Sequence, residues 1–158
     1  MKTLIIMEKV NLSFTVALSF LGLVSFEIIK PVKWSFSSTP SKPAVGQTVE
    51  LVFTGKILKD WYIYSSELKV EGPSPTEIDL ISNGTFQKVG KLVAINPKEK
   101  YDKIWEGTVH YFVKEAKFVQ KIKILKPDAV VEGKINSYTC TMKDGSCIPN
   151  NDKFSFKF

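Results

Sequence analysis

From Val32 onward, apolar and polar residues alternate over short runs, and no segment holds a helical period long enough to predict a helix. The alternation is clearest in Val49, Leu51 and Phe53 against Glu50 and Thr54. It recurs in Phe154, Phe156 and Phe158 against Lys153, Ser155 and Lys157. A period of two turns one strand face to a core and the other to water. Strands are predicted over 33–36, 47–55, 61–65, 77–81, 86–95, 104–113, 117–125, 133–140 and 153–158. Between them lie Thr39-Pro40-Ser41-Lys42-Pro43, Gly72-Pro73-Ser74-Pro75, Asn83-Gly84 and Lys126-Pro127-Asp128, all turn or loop chemistry. Short strands at this spacing predict an all-β, immunoglobulin-like two-sheet sandwich.

The N-terminal segment breaks the pattern. Lys2 and Lys9 precede an apolar run over 12–26, and the chain turns polar at Glu27 and Lys30. The run of about 15 residues is shorter than the roughly 20 that a spanning helix needs, so 1–26 is expected to be a secretory signal peptide, with an N-terminal anchor as the alternative. Ser25 suits a cleavage site, but Leu23 two positions before it leaves no small-x-small triplet. No cysteine stands directly after the run, which argues against a lipoprotein anchor. The rest, 31–158, is expected to be one domain, because 44% hydrophobic and 24% charged residues fit a single ordinary core.

The net charge of +6 comes from lysine, since the chain contains no arginine. Lysine supplies a point charge without the planar fork that reads phosphates and guanine edges, so nucleic acid is not an expected partner. The lysines are interspersed with acids and apolar residues, as on a solvated surface.

Two cysteines, Cys140 and Cys147, follow the N-terminal segment. Export would make a disulfide chemically permissible. Asp144-Gly145 between them is a hairpin signal that folds the chain back and brings the pair within bonding range across two short strands. Closing so small a loop removes only about 2 to 2.5 kcal/mol of unfolded-chain entropy, so such a bridge is a weak staple. Two uses remain open on these residues. One is a structural bridge in an exported binding or adhesion module; the other is a pair that exchanges.

Tyr138, Cys140, Asp144, Gly145, Cys147 and Pro149, followed by an alternating Phe-rich strand, resemble the N-terminal periplasmic domain of the thiol:disulfide interchange protein DsbD. Val32-Lys33-Trp34-Ser35-Phe36, Asp60-Trp61-Tyr62-Ile63-Tyr64 and Phe118-Val119-Gln120-Lys121-Ile122 fall in the family's order. The resemblance implies an immunoglobulin-like sandwich of protein-disulfide reductase type, in the periplasm. It would receive two electrons from a membrane-embedded electron transporter and pass them to periplasmic thioredoxin-like proteins. Cys147 would form the mixed disulfide and Cys140 would resolve it. Asp102, Trp105 and Tyr138 become candidates for the cap that shields the pair in this family, with Ile104 in the same region. No small-molecule cofactor is implied, and a monomer is expected. The sequence departs from the family in two ways: Cys147-Ile148-Pro149-Asn150 has one proline fewer than the usual Cys-x-Pro-Pro, and the family's membrane and C-terminal domains do not follow, so the donor is expected to act in trans.

Other residues point elsewhere only weakly. His110 is the single histidine and cannot make a metal site alone; with Met142 and the two cysteines it would suit Cu(I). Trp61, Tyr62 and Tyr64 are expected in the core. Glu77 and Asp79 share a strand face with no base or nucleophile nearby, so no hydrolase constellation forms.

Overall fold

The computed structural model describes residues 29–158, Ile104 excepted, so the expected signal segment 1–26 lies outside the described residues. The described residues form strands joined by turns and loops: β1 Val32–Thr39, β2 Thr48–Ile57, β3 Trp61–Tyr64, β4 Glu77–Leu80, β5 Phe86–Ala94, β6 Lys98–Asp102, β7 Gly107–Phe112, β8 Glu115–Ile124, β9 Val130–Thr141 and β10 Cys147–Lys157. All pairings are antiparallel. One sheet has the order β1-β2-β8-β5; the other runs β10-β9-β3-β7-β6, with β4 also on β9. This is the expected all-β, immunoglobulin-like sandwich.

The core follows the alternation. Val49, Leu51 and Phe53 of β2 and Phe118 and Ile122 of β8 are wholly buried against Ile63, Val131 and Ile135 of the facing sheet. Phe53 meets the rings of Phe36 and Phe154 edge-on, with centroids 5.8 and 4.9 Å away. Each such side chain contributes about 1.5–3 kcal/mol by leaving water.

Two elements differ from the predicted strands, and one buried residue breaks the alternation. β6 was not predicted, because Lys98-Glu99-Lys100-Tyr101-Asp102 reads as charge rather than alternation; it is an edge strand paired only with β7, where charged residues discourage further pairing. β10 begins at Cys147 rather than at 153, since Pro149, Asn150, Asn151 and Asp152 read as breakers. It lies at a sheet edge, where a proline's missing N–H is tolerated. Gln120 interrupts the apolar face of β8 yet is wholly buried. Its Nε2 donates to the carbonyls of Val89 at 2.9 Å and Gly90 at 3.4 Å, where the β5 register shifts. A bulge leaves carbonyls that the ladder cannot satisfy, and a buried amide supplies the donor.

One strand arrangement positions the site. β9 is covered along one flank by β10, while its other flank is shared end to end by β4, over 133–136, and β3, over 139–141. The last turn of sequence in β9 is therefore enclosed between β3 and β10.

Candidate functional site

β9 and β10 meet in a hairpin whose turn is built by three residues. Asp144 Oδ1 accepts the N–H of Ser146 at 2.9 Å and its hydroxyl at 2.7 Å. These bonds hold the Asp144 carboxyl below its ordinary pKa. Gly145 takes a φ of 75° that glycine adopts without a Cβ penalty, and its N–H donates to the Thr141 carbonyl at 3.1 Å. Thr141 N–H then donates to the Ser146 carbonyl at 2.9 Å, closing the ladder.

This turn fixes the register in which Cys147 stands opposite Cys140, and the two are joined in a disulfide with Cα atoms 4.0 Å apart. Because Thr141 and Ser146 form a hydrogen-bonded pair, the cysteines occupy the adjacent non-hydrogen-bonded pair, the closer of the two antiparallel spacings. The expected hairpin is present, but its strands are not short: β9 has 12 residues and β10 has 11.

The two sulfurs sit in different surroundings. Cys140 is wholly buried in an interior strand, while Cys147 is exposed at the start of an edge strand. Cys140 belongs to a small cluster with Tyr62, Tyr64 and Val109, distinct from the main core, against which Leu68, Val70, Trp105 and Tyr111 pack. Tyr62 is the direct cross-strand neighbour of Cys140. The Tyr62 and Tyr64 hydroxyls lie 3.4 Å apart, and their rings meet at 85°. Lys100 Nζ sits 4.6 Å from the centre of the Tyr62 ring, 5.2 Å from that of Tyr111, and 3.3 Å from Asp102 Oδ2. Burial pushes the Tyr62 phenol well above its ordinary pKa of 10.0; the Tyr64 hydroxyl and the Asp102 charge push the same way.

A cleft of about 230 Å³ opens beside Cys147, lined by Tyr62, Tyr64, Asp102, Trp105, Tyr138 and, from two loops, Gly72, Pro73, Ser74 and Gly145. Asp102, Trp105 and Tyr138, picked from sequence, thus border the same space as Cys147. Ile104 lies outside the described residues. The Trp105 ring rests directly on Gly72, whose φ is 140°; a Cβ there would overlap the indole. The 65–76 loop carrying Gly72 is pinned at its base, where Thr76 N–H donates to the Ser65 carbonyl at 3.0 Å and Thr76 Oγ1 to the Tyr64 carbonyl at 2.7 Å. Tyr138, which lines the cleft beside Cys147, is 42% exposed.

Sequence reasoning missed Lys100 and the 65–76 loop, and placed Tyr62 and Tyr64 in a general core rather than against the disulfide. The signal for the tyrosines was their spacing, because Tyr-x-Tyr in a strand puts both rings on one face. His110 is not brought to the cysteines. It lies on the β7 face opposite Val109, 3.3 Å from Glu99 through Nε2. Asp79 accepts a 2.6 Å hydrogen bond from Asn136.

The sequence matches the family described as thiol:disulfide interchange protein DsbD, N-terminal, over residues 33–158. A search of curated proteins finds no match. Among solved structures, the N-terminal periplasmic domain of ScsB from Proteus mirabilis is similar with a TM-score of 0.52 at 17% identity, over 79% of this chain and 44% of that one. This chain therefore spans less than half of that one. The reduced N-terminal domain of DsbD from Neisseria meningitidis gives a TM-score of 0.49 at 16% identity, over 72% of this chain and 79% of that chain. A complex of the DsbD and PilB N-terminal domains from Neisseria meningitidis gives 0.46 at 13% identity, over 68% and 73%. With the match running from the first strand to the last residue, around a hairpin that holds both cysteines, the chain belongs to the family of the DsbD N-terminal domain.

Proposed function

We propose that this protein performs thiol-disulfide exchange in the periplasm, relaying two electrons from a membrane-embedded electron transporter to thioredoxin-like proteins through Cys140 and Cys147. The observation that carries this reading is the asymmetry of the disulfide, in which one sulfur is exposed beside a cleft lined by the rings of Tyr62, Tyr64, Trp105 and Tyr138 and the other is wholly buried. Family membership supports the same chemistry. In this reading 1–26 is the export signal and 31–158 the working domain, acting as a monomer.

In the reduced protein the Cys147 thiolate attacks one sulfur of a partner's disulfide. A mixed disulfide forms and the partner's second sulfur leaves as a thiolate. The Cys140 thiolate then attacks the Cys147 sulfur, closing the Cys140–Cys147 bond and releasing the partner as a dithiol. Two electrons have moved to the partner. The donor reverses these steps and restores both thiols. Tyr138, exposed beside Cys147, gives the docking partner an aromatic contact, while Trp105, with Asp102 and Tyr138, restricts approach by other reagents.

The test is the reduction potential of the pair, measured by equilibrating the protein in defined thiol buffers and quantifying free thiols. A value between about −180 and −270 mV lies in the span of exchange proteins and supports the relay. A value well below about −300 mV marks a structural bridge and leaves an exported binding module as the better account.

A further inference from the structure

We propose that Asn150 is a positioning residue for the exchange reaction, holding β10 in register on β9 when the disulfide is open. The inference rests on the exchange reading above.

Asn150 is three residues beyond Cys147, almost wholly buried at 9% exposure. The alternation of β10 puts it on the inner face with Phe154 and Phe156, opposite to the face that carries Cys147. Its Nδ2 donates to Thr139 Oγ1 at 2.6 Å and to the Ile148 carbonyl at 3.0 Å. Thr139 is the residue before Cys140 and is wholly buried. Asn150 pairs in register with Ser137, so the bond to Thr139 runs diagonally across the two strands. Beyond its backbone ladder, the end of this hairpin thus has two side-chain links between its strands: a covalent one on the outer face at Cys140 and Cys147, and a hydrogen-bonded one on the inner face at Thr139 and Asn150.

Of these two side-chain links only the second survives reduction, alongside the backbone ladder. When the bond opens, each thiol's effective concentration toward the other depends on how firmly the two strands stay aligned. The backbone ladder reaches the turn with Thr141 to Ser146, and Pro149, opposite Tyr138, falls at a non-hydrogen-bonded position, so its missing N–H takes no bond from between β9 and β10. Asn150 is a short side chain with few rotamers, buried between both strands, and its bond to Thr139 spans them directly. The reaction it serves is balanced: the Cys140 and Cys147 thiols lose two electrons and two protons to become a disulfide, and one oxidised glutathione or partner disulfide becomes two thiols.

The experiment measures reduction potential in glutathione buffers for the wild type, Asn150→Ala, Thr139→Val and Thr139→Ser, with denaturant stability of the oxidised and reduced forms. Asn150→Ala is expected to lower the closure equilibrium about tenfold, a shift of about 30 mV to less negative potential for this two-electron couple. Thr139→Val, which keeps the shape and removes the hydroxyl, is expected to shift the same way, and Thr139→Ser to stay near the wild type. Should Asn150→Ala fail to fold when reduced, the two Thr139 variants carry the test. An unchanged or more negative potential, with both redox forms destabilised equally, would reduce Asn150 to a structural contact and overturn the proposal. So would Thr139→Ser behaving as Thr139→Val does. The absolute wild-type potential judges the exchange reading, and the difference between variants judges this one, so either can fail alone.

Discussion

Tyr62 stands directly across from Cys140 on adjacent strands, so the buried sulfur of the pair rests beside a phenol that burial keeps protonated. A neutral aromatic wall admits no water and no small reductant to Cys140. Approach is left to Cys147, which opens onto the cleft.

The first prediction follows from that asymmetry. Cys147→Ala abolishes exchange with a thioredoxin-like partner, and Cys140→Ala allows attack but removes the resolving thiol. Mixed disulfides therefore accumulate with Cys140→Ala alone, as non-reducing gels and mass spectrometry would detect. Equal trapping by both variants would remove the assigned roles.

The shield is open to a direct test at Gly72. Its backbone touches the Trp105 indole, and its φ of 140° is one that side chains rarely adopt. Gly72→Ala is expected to displace the indole, and Trp105→Ala to remove it. Each should speed reduction by dithiothreitol about tenfold, the change that about 1.4 kcal/mol of barrier represents. Stopped-flow reduction rates would reveal it; unaltered rates would mean that Trp105 packs without shielding.

Alkaline stability should depend on Tyr62. Its folded-state pKa lies above the ordinary 10.0, so above that pH the native state holds a proton that the unfolded chain has lost. The stabilisation is complete below about pH 10 and falls as pH rises further. Denaturation of the oxidised protein at stepped pH should therefore fall off less steeply for Tyr62→Phe than for the wild type.

Gln120 provides a contrast far from the disulfide, in the other sheet. Gln120→Leu leaves the Val89 and Gly90 carbonyls without their buried donor. Stability should drop by about 1–3 kcal/mol, seen as a lower denaturant midpoint, while exchange kinetics stay at the wild-type value.

Much of this was written in the chain. Val49, Leu51 and Phe53, and likewise Phe154 and Phe156, declared their strands because a period of two is a local property. Asp144-Gly145 declared its turn because φ and side-chain bonding there depend on neighbours alone. Those signals were enough to bring Cys140 opposite Cys147. β6 stayed hidden because an edge strand has little apolar face to report, and the start of β10 because Pro149 is permitted only by an edge position that sequence does not specify.

What the sequence by itself determined was therefore the strands, the hairpin and the pairing of the two cysteines, all consequences of contacts between near neighbours. Which sulfur is buried was decided by tertiary structure, because β3, far away in the chain, covers the flank of β9 at Cys140 while β10 remains an edge. The same holds for Tyr62, Asp102, Trp105 and Gly72. Their convergence on one cleft depends on strand order across a sheet, and strand order is set by how the whole apolar surface is buried at once rather than by any local pattern.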